Sequence, residues 1–143
     1  MVSLSANAPR RPLHPLHAIL LAFPFPLFLG TLFSDIAYAR TFQIQWANFA
    51  QWLNAGGLLM GVLVLALALT GMLRRDARGD RRRAVYALLV LATGILGLWN
   101  ALVHAKDAWA VMPEGLWLSA ASALAAVAAS WTGYSGFRAG GWE

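Results

Sequence analysis

Residues 48–73 read NFAQWLNAGGLLMGVLVLALALTGML, and residues 74–83, which follow directly, read RRDARGDRRR. The first stretch carries no charged side chain and exceeds the roughly 20 apolar residues that cross a bilayer as a helix. The second puts Arg74, Arg75, Arg78, Arg81, Arg82 and Arg83 into one short loop. Short loops rich in arginine stay on the cytoplasmic side of a bacterial membrane. The junction at Leu73 therefore predicts a membrane span that ends at the inner face.

Three further runs of similar length lie on either side, at about 18–38, 84–104 and 115–136. The expected fold is all-α, an integral membrane antiparallel four-helix bundle, with residues 1–143 forming one domain. Residues 1–11 are expected to be a mobile tail. Composition agrees, since 59% of the 143 residues are hydrophobic and only 12% are charged, against about a quarter charged in soluble domains. The net charge of +5 would raise the question of nucleic acid in a soluble protein, but here the arginines mark a loop, and no nucleic-acid partner is expected. The absence of cysteine excludes disulfides, thiolate metal sites, iron–sulfur clusters and c-type haem attachment.

Counting basic residues predicts that both termini face inward. Arg10, Arg11, the six loop arginines and Arg138 then lie inside, and only Arg40 and Lys106 lie outside. The bacterial cytoplasmic membrane is the expected location. Ala37-Tyr38-Ala39 matches the A-x-A pattern of a secretory signal. The length of the run, Pro24, Pro26, and Asp35 just ahead of the cut weigh against cleavage, and intact mass distinguishes the two.

Helices in lipid gain nothing hydrophobic by associating, so small residues that let backbones approach are the expected contacts. Gly57 and Gly61 stand in GxxxG spacing, Gly94 and Gly97 follow on the third run, and Ser122, Ala126 and Ser130 repeat on the fourth. The expected use is packing within the bundle, with self-association as the alternative. Pro24 and Pro26 lack an N–H and should bend the first span.

Candidate chemistry gathers near the outer ends of the spans. Asp35 lies late in the first, Asn48 and Gln51 early in the second, Asn100 and His104 late in the third, and Asp107 beyond. Asn100 and His104 are four apart and share a helix face. Asp35 is expected to face inward, within reach of Asn100, His104 or Asn48, as a polar clamp or a small ligand or cation site, because a carboxylate at this depth is costly unless hydrogen-bonded or wetted. The competing reading makes these residues interfacial anchors alongside Trp46, Trp52, Trp99, Trp109 and Trp117. At the inner face His14 and His17, flanked by Pro12 and Pro15, are a possible metal or haem pair or simply a rigid entry segment. A haem shared by His17 and His104 is excluded by depth, since the two lie roughly 30 Å apart at opposite faces. No P-loop, HExxH or G-x-S-x-G occurs, and no internal repeat of an alternating-access transporter is evident.

Several short segments together resemble one family. They are His14-Pro15-Leu16-His17, Phe23-Pro24, Ser34-Asp35-Ile36-Ala37-Tyr38, Gln45-Trp46-Ala47-Asn48, Asn100, Val103-His104, Asp107-Ala108-Trp109, Pro113, Gly115-Leu116, Leu118-Ser119 and Trp131-Thr132-Gly133. The chain is similar over nearly its whole length to the bacterial membrane family called domain of unknown function 2231. Where the wider family often has a second proline and a further histidine in the opening motif, this chain has Ala18 and Ala22. The resemblance implies a small integral membrane protein, in some bacteria part of a larger redox-associated polypeptide, with no established activity. The expected function is a non-enzymatic membrane component or a ligand- or partner-binding module. The alternatives are a haem- or metal-binding redox-associated subunit and an oligomeric transporter or channel.

Overall fold

The computed structural model describes residues 14–73, 81–106 and 108–135, and everything described is helix, turn or short connection. The elements are α1 (Pro15–Leu21), α2 (Pro24–Thr41), α3 (Ile44–Met72), α4 (Arg81–His104), α5 (Ala108–Val111) and α6 (Glu114–Ser135). Four helical stretches are long and apolar enough to cross a membrane: Pro15–Thr41, Ile44–Met72, Arg81–His104 and Glu114–Ser135. Helix is the expected solution, because a lipid-exposed backbone must satisfy its hydrogen bonds within its own segment.

The first span is broken where its prolines fall. Pro24 and Pro26 cannot donate to the carbonyls one turn earlier, and the chain tightens at that point, with Ala22 N–H donating to Ile19 O at 3.1 Å and Phe23 N–H to Leu20 O at 3.3 Å. The α2 helix stops at Phe42, which adopts φ 54° and donates its N–H to Tyr38 O. A left-handed residue at this place is a common helix terminator, and only Phe42 and Gln43 separate α2 from α3. At 29 residues, α3 measures about 44 Å at the helical rise, longer than the roughly 30 Å hydrocarbon layer. Its N-terminal turns carry the exposed aromatics Trp46, Phe49 and Trp52. Trp99 and Trp117 are also exposed, as an aromatic belt requires.

The main interfaces join α2 to α3, α3 to α4, α4 to α6 and α6 to α2, a closed ring of four spans, with α1 lying against α3 and α6. Phe28 of α2 fills the centre. Its ring lies where a β-carbon on Gly57 would be 3.1 Å away and one on Gly97 only 2.8 Å away, and it packs with Ala123 and Ala126 of α6. Gly57 and Gly97 are glycine because this ring passes between their helices. Ser122 and Ala126 are buried. The other two glycines differ from the packing expectation, because a β-carbon on Gly61 or Gly94 would meet nothing within 4 Å.

Below Phe28 lies an apolar core of Leu21, Val64, Val90 and Ala129. The arginine-rich loop falls largely outside the described residues, as do residues 1–13. Of its arginines, Arg83 reaches back to donate to Gly71 O at 3.3 Å, placing a cation at the negative C-terminal end of α3.

Candidate functional site

Above Phe28 the interior turns polar. The inward face of α4 carries Gly97, Asn100 and His104, spaced three and four apart on one side of the helix. Thr31, Ser34, Asp35 and Tyr38 are buried on α2. Asn54 is buried on α3, and Ser119 and Ser122 on α6. Asp35, Asn100 and Ser119 are 0% exposed, and Asn54 and His104 are 1% exposed. These burials place the groups inside protein rather than against lipid.

His104 Nε2 lies 2.8 Å from Asp35 Oδ1, and its Nδ1 lies 2.9 Å from the backbone oxygen of Asn100. A carbonyl only accepts, so Nδ1 carries a proton, and the Nε2–Oδ1 bond is held by a second proton shared between imidazole and carboxylate. The other carboxylate oxygen, Oδ2, accepts from Ser119 Oγ in a short hydrogen bond. Ser119 Oγ in turn accepts from Asn100 Nδ2 at 2.9 Å. Asn100 Nδ2 also approaches Asn54 Oδ1 at 3.4 Å, and Asn54 Nδ2 donates to Gly97 O at 3.0 Å. Gln51 Nε2 closes the cluster from outside by donating to His104 O at 2.7 Å.

Every span contributes. Asp35 and His104 cross the diagonal of the ring between α2 and α4, while Asn54 and Ser119 bring in the other two helices. Gly115 makes room, since a β-carbon there would lie 3.1 Å from His104 Cε1 and 2.6 Å from Val111 Cγ1. The first turn of α6 thus sits on the imidazole. Just outside, Lys106 Nζ and Glu114 Oε2 form an exposed ion pair at 3.1 Å.

The wiring decides what this cluster can do. Serine, histidine and aspartate suit nucleophilic catalysis when the imidazole takes the serine proton. Here serine and histidine bind opposite oxygens of one carboxylate, and the hydroxyl hydrogen goes to Asp35 rather than to a base aimed at a substrate. The donor set fits a metal poorly. No group of three or more potential metal-ligating histidine or acidic side chains occurs among the described residues, and both nitrogens of His104 are already engaged. Haem would meet the same obstacle at His104.

The other described sequence candidates lie apart. Asn48 is exposed and donates to Gln45 Oε1 on its own helix at 3.0 Å, so it is not part of the cluster. Asp107 lies outside the described residues. His14 is exposed and caps α1, its Nδ1 accepting from Leu16 N at 3.3 Å. His17 turns to Tyr86, with Nε2 and the phenol oxygen 2.7 Å apart. His14 and His17 are therefore engaged separately. Asn54 was the residue missed; a lone amide inside an apolar run is its signal, because such a group in lipid seeks a partner on another helix. Ser119 stood among the segments of the family resemblance, as Leu118-Ser119, but nothing in its spacing marked it as a partner of Asp35.

A ring of four apolar spans tied at one end by buried polar groups defines a polytopic helical membrane protein. The chain belongs to the family described as "Predicted membrane protein (DUF2231)", whose model matches residues 13–140. No curated protein and no solved structure matches it.

Proposed function

We propose that the protein is a non-enzymatic component of the bacterial cytoplasmic membrane, an antiparallel four-helix bundle with both termini inside, whose polar cluster clamps the spans in register for association with partners. The observation that carries this reading is that the cluster turns its donors inward, with Asn100 Oδ1 the one acceptor among its five residues left without a partner. Asp35, His104, Ser119, Asn100 and Asn54 spend their donors on one another or on backbone, at 0–1% exposure. An active site needs at least one such group turned toward a substrate.

Support for the antiparallel arrangement comes from the ends that meet. Late residues of α2 and α4 bond early residues of α3 and α6, through His104 to Gln51 and Asp35 to Ser119. At the other end, Tyr134 near the close of α6 donates to Ala18 O at 2.7 Å. The distribution of arginines supports the orientation. Nothing in the cluster calls for a bound cofactor.

The test is an absorption spectrum and metal analysis of the purified protein, with a reporter fused to its C-terminus in cells. The reading expects no Soret band, no stoichiometric metal and a cytoplasmic reporter signal. A Soret band or bound metal overturns the non-enzymatic assignment, and a periplasmic signal overturns the orientation.

A further inference from the structure

Hydroxyl groups on these helices mostly follow one habit. Thr31, Ser34, Thr41, Thr93 and Thr132 each donate to the carbonyl four residues back, at 2.7–2.9 Å, a common way for a helix to satisfy such a group. Ser130 of α6 has Ala126 O one turn back and does not use it. Its Oγ is buried and bonds nothing among the described residues. Ser122 Oγ is likewise without a partner, but it lies one turn from Ser119 on the polar side of the interior, whereas Ser130 stands among apolar groups.

A buried hydroxyl with no partner is costly, and at this depth the bilayer offers no water to relieve it. Ser130 lines a cavity of about 10 Å³ with Thr93 of α4, and the remaining walls are Pro24, Gly61, Ala126 and the apolar core below Phe28. Thr93 lies about 17 Å from His104 and about 18 Å from Arg81 at the helical rise, near the middle of the roughly 30 Å of hydrocarbon.

The chemistry of the two oxygens defines what fits between them. Thr93 Oγ1 spends its hydrogen on Leu89 O at 2.8 Å and can otherwise only accept, while Ser130 Oγ has a hydrogen to give. The guest must therefore accept from one helix and donate to the other. Water does both, and the volume is at the lower limit for one molecule of it. An apolar guest would leave both oxygens unserved, and two neutral hydroxyls fall short of the ligand set of a hard cation. Pro24 brings the break in the first span to the same cavity, and ordered water is among the groups that serve backbone freed by proline in membrane helices.

We propose that this cavity is the binding site of one structural water, which accepts from Ser130 Oγ and donates to Thr93 Oγ1, bridging α6 to α4 at mid-membrane. Its second hydrogen is left for the broken stretch of the first span at Leu21 and Pro24. The bridge supplies a polar tie within a core that is otherwise apolar, on the opposite side of Phe28 from the His104 cluster.

The test joins a crystal structure of the full chain, grown from a lipid mesophase, to the unfolding equilibria of Ser130→Ala, Thr93→Val and the double variant in mixed micelles. The structure should show one water within hydrogen-bond distance of both oxygens. Each single substitution should raise the unfolding constant about two- to fivefold, the scale of an interhelical bond in a membrane. The double variant should raise it by clearly less than the product of the two, because either loss breaks the same bridge. A cavity without water, or Ser130 Oγ turned onto Ala126 O, overturns the site. So does a Ser130→Ala protein as stable as wild type or more so, the outcome of deleting an unpartnered hydroxyl, and so do independent losses in the double variant. Should a variant fail to fold, the crystal structure decides alone. None of these results bears on the absorption and topology measurements that test the clamp.

Discussion

The two ends of the bundle are held by different physics. Around His104, five buried polar side chains from four spans bond one another or backbone. Around His17 the interior is Leu21, Val64, Val90 and Ala129, with the His17–Tyr86 bond joining side chains across two helices. In lipid an apolar core has no hydrophobic advantage over tails of equal polarity, so its contacts tolerate sliding and rotation. A network of directional bonds does not. The proposed clamp accordingly has the His104 end set the register and rotation of the spans, with the His17 end following by close packing.

The sharpest way to break this contrast is to remove the carboxylate. Asp35→Ala leaves His104 and Ser119 without their acceptor inside protein, a loss of about 3–5 kcal/mol by the behaviour of broken buried pairs. Unfolding by SDS in mixed detergent micelles measures it. His104→Ala should cost a similar amount, and the double variant clearly less than the two losses together, because a shared network is non-additive. Strict additivity would mean that the two residues act as separate anchors and that the two ends do not differ in kind.

The glycines separate the ends next. Gly97→Ala drives a methyl group into Phe28 and should cost about 1–3 kcal/mol as overpacking. Gly57→Ala meets the same ring at a slightly longer distance and should cost less. Gly61→Ala faces open space and should stay within about 0.5 kcal/mol of wild type. Thermal stability in detergent ranks the three, and a Gly61 variant as damaging as Gly97 would mean that the interior space beside Gly61 is filled in the folded protein.

Much of this was legible in the sequence because membrane spans announce themselves by length. The four runs, the small residues and the late polar positions of the first and third spans follow from composition and spacing alone. Convergence does not. Asp35 and His104 meet because a two-residue connection at Phe42 turns α3 back against α2, and because Gly115 lets α6 close over the imidazole. Asn48 and Asn54 lie six positions apart on one helix and cannot be ranked by chemistry, yet only Asn54 has its helix face turned to α4. GxxxG spacing was similarly blind to the ring of Phe28, which separates the role of Gly57 from that of Gly61.

A smaller effect tests the His17 end. Tyr86→Phe keeps the ring packed near Gly133 and removes the oxygen bonded to His17. Interhelical hydrogen bonds in membranes average about 0.6 kcal/mol, and a loss of that order is expected in the same unfolding assay. A loss as large as that of Asp35→Ala would give the His17 end a polar lock of its own.

The smallest effects concern the rim of the cluster, where Gln51 and Asn48 stand three residues apart on α3. Gln51 donates across to the His104 backbone at 2.7 Å, and Asn48 bonds only Gln45 within its own turn. Both side chains are exposed, so water replaces much of what either substitution removes. Gln51→Ala should cost up to about 1 kcal/mol, as an interhelical bond at the edge of the membrane does. Asn48→Ala should fall within about 0.5 kcal/mol of wild type. The difference is best read by amide hydrogen exchange in the first turns of α3, where Gln51→Ala should loosen protection and Asn48→Ala should not. Equal protection in the two variants would mean that the clamp ends at His104 itself, with α3 held on this side by Asn54 alone.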